Sequence, residues 1–366
     1  MPPDPRPRPM LAKAAGELPE GGDWCYEPKW DGFRAIVRAG ADDVQLDSRG
    51  ERPLGRYFPE LVELLGTLGS RPFVLDGEIV LVLPAGSPYG TAAELGHPID
   101  EPAIDFDALQ MRLHPAASRV NRLAGEIPAT FVAFDAIEID GRDLRSLDTD
   151  SRRSELASLL ATAGAEDPPR GPEDLRPGPG LVLTPQTRDL ELARRWFADL
   201  EGFGQDGIVA KRRDQRYVDG ERVMVKVKHH RTADCVVGGY RIEKDGDGVA
   251  SLLLGLYDAE GTLHYVGHTS AFPATQRRAL REELQPLEGG TSFRDGRTPG
   301  APSRWTGSNE RAWVALEPTL VCEVRYDRMQ GVRFRHAATL VRWRPDRDAA
   351  SCTFEQLAIA GSPGSV

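Results

Sequence analysis

Hydrophobic and polar residues alternate in short runs before residue 230, and this two-residue period predicts β-strands. Each run is bounded by Gly, Pro, Asn or Asp, which interrupt regular structure. Between the strands, apolar residues recur at the spacing of one helix face. The predicted strands are 33–37, 73–83, 131–139, 207–211 and 223–227, and the predicted helices are 58–68, 151–163 and 187–200. This mixture predicts an α+β domain.

The pattern changes near residues 228–233, after which strands follow one another across short turns. These strands are predicted at 236–243, 249–257, 263–267, 319–326, 332–335 and 339–342, and one helix at 273–284. Five or so strands with one helix in about 130 residues suit a small closed barrel such as an OB-fold. We therefore predict two domains, 1–230 and 231–366, in keeping with a length of 366 residues.

Two stretches rich in Pro and Gly, 84–103 and 164–180, are predicted to be long loops. The second lies inside the first predicted domain, so we interpret it as an insertion rather than a domain boundary. The first is longer than a minimal two-domain chain requires.

The composition is typical of a globular protein with enough apolar residues for cores, since 40% of residues are hydrophobic and 28% are charged. No run of about 18 apolar residues is present, which predicts no membrane-spanning helix. Residues 1–10 lack the apolar stretch of a secretory signal, so a cytoplasmic location is expected. The cysteines fit no zinc spacing and are interpreted as buried or incidental thiols: Cys25, Cys235, Cys322 and Cys352.

The net charge of −10 argues against a protein that coats nucleic acid without specificity. Two local basic clusters nevertheless occur, at 211–231 and 333–347. Each cluster is either a solvated face or a surface that binds an anion, and the charge count alone leaves both interpretations open.

A candidate nucleophile, Lys29, lies in the segment Glu27-Pro-Lys-Trp-Asp-Gly-Phe-Arg34. Free lysine has a pKa of about 10.4, so a lysine nucleophile must lie where its charged form is disfavoured, by desolvation or by neighbouring cations. The glycine of this segment permits close approach of the backbone to a ligand. The alternative is a surface loop in which Lys29 pairs with Asp31.

Carboxylates interrupt two predicted strands. Asp76 and Glu78 break the apolar run at 73–81, where charges are costly unless they are paired or bound to metal. Asp206 begins a predicted strand that Lys211 ends, which makes Asp206 a candidate ligand for a hard cation. The alternatives are an exposed Asp-Gly turn and a strand with polar ends.

Basic and aromatic residues complete the set of candidates. Strand alternation places Lys226 and Lys228 on one face, where a phosphate between them would relieve their repulsion, although lysines also protect exposed strand edges. Arg344 and Arg347 lie near the C-terminus, as phosphate-gripping forks or as a basic tail in solvent. Phe134 either stacks on a purine or belongs to the core.

In their joint order and spacing, these motifs resemble those of the covalent nucleotidyltransferase superfamily, and within it the ATP-dependent DNA ligases. The resemblance covers nearly the whole chain and includes 8–13 (RPMLAK), 106–114 (FDALQMRLH), 331–336 (GVRFRH) and 344–347 (RPDR). It implies an α+β nucleotidyltransferase (adenylation) domain followed by an all-β OB-fold-like barrel domain, the minimal two-domain bacterial type.

The resemblance also implies a role for each matching residue. Lys29 would be the adenylated nucleophile, Glu27 would help to recognise adenine, and Phe134 would stack on the base. Glu78 would touch the ribose or the metal, and Asp206 would hold the metal. Arginines and lysines would contact phosphates or the nick, with Lys226 and Lys228 on the α-phosphate and the last two arginines orienting the leaving pyrophosphate: Arg34, Arg49, Lys211, Lys226, Lys228, Arg344 and Arg347.

The implied reaction seals a 5′-phosphate/3′-hydroxyl nick in duplex DNA, in repair or recombination, with ATP and with Mg²⁺ or Mn²⁺. The implied protein is a monomer, with repair proteins as further partners. Two positions depart from the family pattern. Asp206 is one methylene shorter than the usual Glu, which affects one metal contact, and Met224 stands where an aromatic residue is frequent.

Several alternatives remain at this point. An mRNA-capping guanylyltransferase shares the Lys-x-Asp-Gly-x-Arg motif, but the segments 8–13 and 106–114 favour the ligase. An NAD-dependent ligase would carry a four-cysteine zinc module, and an RNA ligase usually lacks this type of barrel. A non-catalytic nucleic-acid-binding protein with a decayed site is disfavoured because the candidate catalytic residues are present.

Overall fold

The computed structural model describes residues 6–40, 43–68, 71–90, 101–162, 171, 174–199, 203–229, 231–244, 248–299 and 312–357. It divides into two compact units, Met1–His229 and His230–Val366. The predicted order of an α+β unit followed by a β-rich unit is confirmed. Parts of the two predicted loops, 91–100, 164–170 and 172–173, lie outside the described residues.

The described part of the first unit contains twelve strands and five α-helices. The strands are β1 (Leu11–Ala15), β2 (Trp24–Pro28), β3 (Phe33–Ala39), β4 (Val44–Ser48), β5 (Phe73–Val80), β6 (Val82–Leu83), β7 (Ala103–Ile104), β8 (Thr130–Ile139), β9 (Arg142–Asp143), β10 (Gly180–Leu183), β11 (Gly207–Arg212) and β12 (Arg222–Lys228). The helices are α1 (Pro59–Gly66), α2 (Phe106–Met111), α3 (Ala117–Glu126), α4 (Thr149–Thr162) and α5 (Leu190–Asp199), with a 3-10 turn at Gly55–Tyr57.

Two sheets organise this unit. The larger has the order β10-β8-β5-β3-β4, with β9 paired to β8, and the smaller has the order β1-β12-β11-β2. The ten-residue β8 lies between β5 and β10, and most of its side chains are buried, which is why its sequence is apolar on both faces. Phe58, Phe73 and Phe131 belong to the main core, which also receives apolar residues of α1 and α4.

Six strands and two helices of this unit were not predicted: β1, β2, β4, β7, β9, β10, α2 and α3. β2 reads WCYEP and is buried along most of its length, so it has no alternation to detect. α2 is only six residues long, and its start is fixed by the Asp105 side chain, which accepts a hydrogen bond from the Ala108 N–H at 2.7 Å. Such short or fully buried elements lack the periodicity on which the predictions rest.

The second unit contains the strands β13 (Arg231–Ile242), β14 (Val249–Tyr257), β15 (Leu263–Thr269), β16 (Val314–Ala315), β17 (Val321–Tyr326), β18 (Met329–Gln330), β19 (Arg333–Phe334) and β20 (Thr339–Trp343). One helix, α6 (Ala274–Leu284), follows β15, and 3-10 turns lie at Gln285–Leu287, Ala349–Ser351 and Phe354–Leu357. The main sheet has the order β15-β14-β13-β17-β20, with β16 paired to β13, and β18 and β19 form a separate pair.

The expectation of a closed barrel is wrong for the hydrogen-bonded sheet, which is open. Near the ends of its two edge strands, β15 and β20, an isolated bridge joins Thr269 and Ala338, where the Ala338 N–H donates to the His268 carbonyl at 2.8 Å. The Leu340 N–H of β20 also donates to the Thr269 hydroxyl oxygen at 3.2 Å. β15 ends at Thr269 and β20 begins only at Thr339, so the ladder does not extend beyond this bridge. Closure of a barrel depends on how the first and last strands of the sheet are placed relative to each other. The spacing of predicted strands along the chain does not determine this placement.

The cysteines are all buried free thiols, as the sequence indicated. Burial raises the pKa of Cys25 to about 12, and it also raises the pKa of Cys235. Among the described residues, no helix is long and apolar enough to cross a membrane.

Candidate functional site

Lys29 is held where β2 ends and β11 begins. Its backbone N–H donates to the Gly207 carbonyl at 2.8 Å, and its carbonyl accepts from the Asp206 N–H at 3.1 Å. The side chain, with 20% of its surface exposed, places Nζ 2.5 Å from Asp206 Oδ2. The ion pair of Lys29 is therefore made with a residue 177 positions along the chain, through the pairing of β2 with β11.

Asp206 holds a second lysine at the same oxygen. Lys228 Nζ lies 2.7 Å from Asp206 Oδ2, because Lys228 is the register partner of Gly207 on the adjacent strand. Burial alone would raise the pKa of Asp206, but Lys29 and Lys228 outweigh it and lower the pKa to about 2. The carboxylate thus stays charged and neutralises part of the lysine cluster.

Lys226 completes this cluster of cations. It lies two residues before Lys228 on β12, on the same side of the strand. Burial lowers the pKa of Lys226, and Lys228 and Lys29 lower it further. Three lysines thus lie near one aspartate, and Lys29 and Lys228 contact it directly, so the cluster has a net positive charge that suits a bound phosphate.

A second lysine–carboxylate pair lies deeper in the unit. Lys211 Nζ is 2.8 Å from Glu27 Oε2 and also donates to the Phe134 carbonyl at 2.9 Å. The other oxygen of Glu27 accepts from Gln186 Nε2 at 2.8 Å, and Arg153 Nη1 lies 3.9 Å from it. The side chains of Lys211 and Glu27 are only 3% and 4% exposed, so this pair is closed from solvent.

The ring of Phe134 lies beside two cations. The Arg34 guanidinium is 4.3 Å and the Lys211 ammonium 5.0 Å from the ring centroid. Arg34 also forms a two-pronged ion pair with Asp76, at 2.6 and 2.7 Å. Asp76 accepts a further hydrogen bond from the Tyr217 hydroxyl at 2.7 Å. Although burial opposes it, Asp76 raises the pKa of Arg34.

Glu78 faces the same region from β5, where it is the register partner of Arg34. Burial raises the pKa of Glu78 to about 7, against the opposing effects of Arg34 and Lys29.

The structure shows why glycine occupies positions 32 and 77 of the two motifs. A Cβ at Gly32 would lie 2.0 Å from the Ile79 carbonyl oxygen, and one at Gly77 would lie 2.3 Å from the Phe131 ring. Both glycines are required by close packing of the backbone.

Arg49 is placed apart from these contacts. Its backbone N–H donates to the Arg34 carbonyl at 3.2 Å, and its side chain is exposed. An exposed arginine next to Arg34 is available to a large ligand, whereas Arg34 itself is already held by Asp76.

Arg344 and Arg347 belong to the second unit. Arg344 Nη1 contacts both oxygens of Asp234 at 3.0 and 3.1 Å, and its Nε and Nη2 contact Asp346. Arg347 Nε lies 3.6 Å from Asp234 Oδ2. Asp234 is therefore the shared partner of both arginines.

Sequence reasoning missed Gln186, Arg153, Tyr217 and Asp234. All four lie outside the recognised motifs. The first three contact site residues of the first unit, and Asp234 contacts the two arginines of the second unit. Their contacts join segments far apart in the chain, so only the folded structure identifies them. Among the described residues, no three His, Cys, Asp or Glu side chains come together in a way that could hold a metal ion. A divalent cation at Glu78 and Asp206 would consequently need further ligands from a substrate.

Two family models match this chain. The model described as ATP dependent DNA ligase domain matches residues 9–228, and the one described as ATP dependent DNA ligase C terminal region matches residues 245–347. Together they span both compact units.

Individual proteins that are similar to this chain also carry the name DNA ligase or contain a ligase. A protein named DNA ligase C2 from Mycolicibacterium smegmatis is 46% identical over 363 residues, which cover 95% of this chain and 93% of that protein. The multifunctional non-homologous end joining DNA repair protein LigD from Mycobacterium tuberculosis is 31% identical over 84% of this chain but only 34% of its own length. A solved structure from a study of Lig E DNA ligases has a TM-score of 0.52 at 16% identity, covers 92% of this chain and 99% of that chain, and supports the fold.

Proposed function

Because this chain belongs to the ATP-dependent DNA ligase family, we propose that it seals 5′-phosphate/3′-hydroxyl nicks in duplex DNA through an AMP group bound covalently to Lys29. The observation that carries this proposal is the lysine cluster: Lys29 shares Asp206 with Lys228, and Lys226 lies beside them. A nucleophilic amine next to two cations and a partly exposed surface suits attack on a phosphate ester.

In the first step, the Lys29 nitrogen attacks the α-phosphorus of ATP. A nitrogen–phosphorus bond forms, the bond between the α-phosphorus and the bridging oxygen breaks, and pyrophosphate leaves. Lys29 must attack as the free amine, so its ammonium gives one proton to solvent before the attack, and the nitrogen gives up a second as the bond to phosphorus forms. Asp206, which contacts the ammonium, holds the nitrogen in place. Lys226 and Lys228 stabilise negative charge that develops on the α-phosphate. Arg344 and Arg347 orient the leaving pyrophosphate.

The remaining steps transfer and release AMP. An oxygen of the 5′-phosphate at the nick attacks the AMP phosphorus, the bond to Lys29 breaks, and the lysine nitrogen takes up a proton from solvent as it leaves. The 3′-hydroxyl then attacks the activated 5′-phosphorus and gives its proton to solvent, the bond from that phosphorus to the bridging oxygen of AMP breaks, and AMP leaves as the strand closes. Arg49, exposed next to Arg34, is available to phosphates of the nicked strand.

The buried pair forms the base-recognition end of the proposed site. Lys211 and Gln186 fix both oxygens of Glu27, and a carboxylate has about four lone-pair positions, so Glu27 retains capacity to accept from the adenine amino group. Phe134 supplies the aromatic face on which the base stacks. Arg34, held against this ring by Asp76, fixes the ring's position.

We propose that Mg²⁺, or Mn²⁺ in its place, is the metal cofactor. The carboxylates of Glu78 and Asp206 would hold it, together with oxygens of the nucleotide. Mg²⁺ commonly binds through one or two carboxylates plus substrate phosphates, so two donors without a complete cage fit this cation. When bound, the ion neutralises phosphate charge.

The wider setting is also a proposal. Nicked duplex DNA is the substrate, and repair or recombination is the context, in keeping with the LigD relative named as a repair protein. We further propose that the protein acts as a cytoplasmic monomer that cooperates with repair proteins. The domain boundary near residue 230 would let the second unit move between steps.

The proposal is tested by incubating the pure protein with α-labelled ATP and magnesium, and with GTP and NAD in parallel, before denaturing electrophoresis. The expected result is a labelled protein band from ATP only, followed by sealing of a nicked duplex by the same preparation. Labelling from GTP would indicate capping chemistry. No label from any nucleotide, in protein free of pre-bound AMP, would indicate a non-catalytic binding protein.

A further inference from the structure

The arginines at 344 and 347 are not equivalent in their surroundings. All three nitrogens of Arg344 donate to a carboxylate, Nη1 to Asp234 and Nε and Nη2 to Asp346. Its side chain is 17% exposed, whereas that of Arg347 is 40% exposed. The guanidinium nitrogens of Arg344 are thus already hydrogen-bonded to carboxylates of the protein, while Arg347 exposes more of its side chain to solvent.

The backbone of Asp234, the residue that both arginines approach, is held in place by the side chain of Gln356. Its backbone N–H donates to Gln356 Oε1 at 2.7 Å, and its carbonyl accepts from Gln356 Nε2 at 3.0 Å. Its side chain receives Arg344 at 3.0 Å and attracts Arg347 from 3.6 Å. The turn between the two arginines is closed by the Arg347 N–H, which donates to the Arg344 carbonyl at 3.1 Å.

A carboxylate that holds one arginine of a phosphate-binding pair determines where the other arginine lies. If Asp234 lost its charge, the turn would lose the connection to β13 that Arg344 makes, and Arg347 would lose the carboxylate that lies 3.6 Å from its Nε. Placement of a charge to within about 1 Å decides how well it stabilises a leaving group.

We propose that Asp234 is a positioning residue for the adenylation step, which anchors Arg344 so that Arg347 is presented to the pyrophosphate leaving ATP. This inference rests on the proposed function, because it assumes that the turn carrying the two arginines orients the leaving pyrophosphate. It assigns them different tasks: Arg344 anchors the turn and Arg347 contacts the ligand.

The test separates two reactions of the full-length protein. One is formation of the enzyme–AMP adduct from ATP, and the other is sealing of a nicked duplex that already carries 5′-AMP, which releases no pyrophosphate. Asp234→Asn is expected to lower the maximal rate of adduct formation about tenfold or more, while sealing of the pre-adenylated nick stays within about twofold. Equal loss in both reactions, or no loss in the first, would overturn the proposal.

The matched control is Glu323→Gln. Glu323 is the register partner of Asp234 on β17, and it pairs with Arg342 at 2.6 Å. The substitution therefore removes a comparable ion pair from the same sheet. We expect both reactions to remain normal in this variant. A defect equal to that of Asp234→Asn would mean that any carboxylate of this sheet matters, against the proposal.

Arg347→Ala provides a second test that does not depend on the folding of Asp234→Asn, since its side chain is exposed. It must show the same selective loss of adduct formation. Adding Asp234→Asn to Arg347→Ala should cause little further loss, because both act through one guanidinium. Additive losses would overturn the proposal, whereas failure of Lys29 to accept AMP in the wild-type protein would overturn the proposed function itself.

Discussion

The first unit holds two lysine–carboxylate pairs that differ mainly in their access to solvent. Lys29 and Asp206 are 2.5 Å apart, with side chains 20% and 12% exposed, and Asp206 is shared with Lys228. Lys211 and Glu27 are 2.8 Å apart, with side chains 3% and 4% exposed. The charges are the same in both pairs, but their surroundings give them different capacities.

The difference in solvent access predicts how readily each pair separates. In the more exposed pair, Lys29 and Asp206, one carboxylate serves two ammonium groups, so a phosphate or a cation can compete for each partner at modest cost. In the buried pair, Gln186 makes a further hydrogen bond to the carboxylate and the Phe134 carbonyl accepts one from the ammonium, so separation would leave a buried charge without compensation. We therefore expect the exposed pair to exchange partners and the buried pair to stay together.

The largest expected effect comes from breaking the exposed pair at its nucleophile. Lys29→Ala should lower the rate of enzyme–AMP formation by at least about a thousandfold, because no other amine occupies its position. Its free energy of unfolding should change by about 1 kcal/mol or less, since Asp206 keeps Lys228 as a partner. Labelling with α-labelled ATP and urea unfolding measure the two quantities. A labelled band of normal intensity in this variant would exclude Lys29 as the nucleophile.

The buried pair should respond in the opposite way. Glu27→Ala should reduce the free energy of unfolding by about 3–5 kcal/mol, because Lys211 would remain buried and charged. Asp206→Ala is the matched control from the exposed pair, and its loss should be smaller, about 2 kcal/mol, because Lys29 and Lys228 lower the pKa of Asp206 to about 2 but are themselves partly exposed. Urea unfolding of both variants at neutral pH makes the comparison. Equal losses would show that solvent access does not distinguish the pairs.

Glu78 tests how far burial controls a third carboxylate of the site. Its pKa in the folded protein is about 7, above the usual value of 4.5, so the folded state binds a proton more tightly than the unfolded state. Between these values, stability should fall as pH rises, by up to about 3 kcal/mol in total. Unfolding at pH 5 and pH 8 with a chelator present, for wild type and Glu78→Gln, measures this effect. A pH dependence that is unchanged in Glu78→Gln would assign it to other groups.

The sequence predicted the members of both pairs as candidates, but not which residue pairs with which. Lys29, Lys226 and Lys228 were identified from a motif and from strand alternation, because both are local properties. The partner of Lys29 was not identified, since Asp31 was the alternative considered and the contact is made by Asp206 across paired strands. Gln186 lies in a segment with no recognised pattern, so only the folded structure brings it to Glu27.

The fold, like the site, was predicted from the sequence only as far as local patterns determine it. The change of pattern after residue 228 predicted a β-rich second unit, because alternation and turns are encoded locally. It did not predict that the sheet stays open, since β15 and β20 contact each other near the ends of both strands. Contacts between segments far apart in the chain are therefore the part that local periodicity leaves undetermined.

The smallest expected effect concerns the length of the exposed carboxylate. Asp206→Glu restores the residue that the family pattern usually has and keeps the charge, while it moves the oxygens by one methylene. Because Asp206 is partly exposed and its partners are flexible lysines, they can follow the longer side chain. Enzyme–AMP formation should change by less than about tenfold, or about 1.4 kcal/mol in the barrier. Asp206→Asn, which keeps the length and removes the charge, should cost more than Asp206→Glu in the same assay with magnesium. If the order is reversed, the position of the oxygen rather than its charge controls the exposed pair.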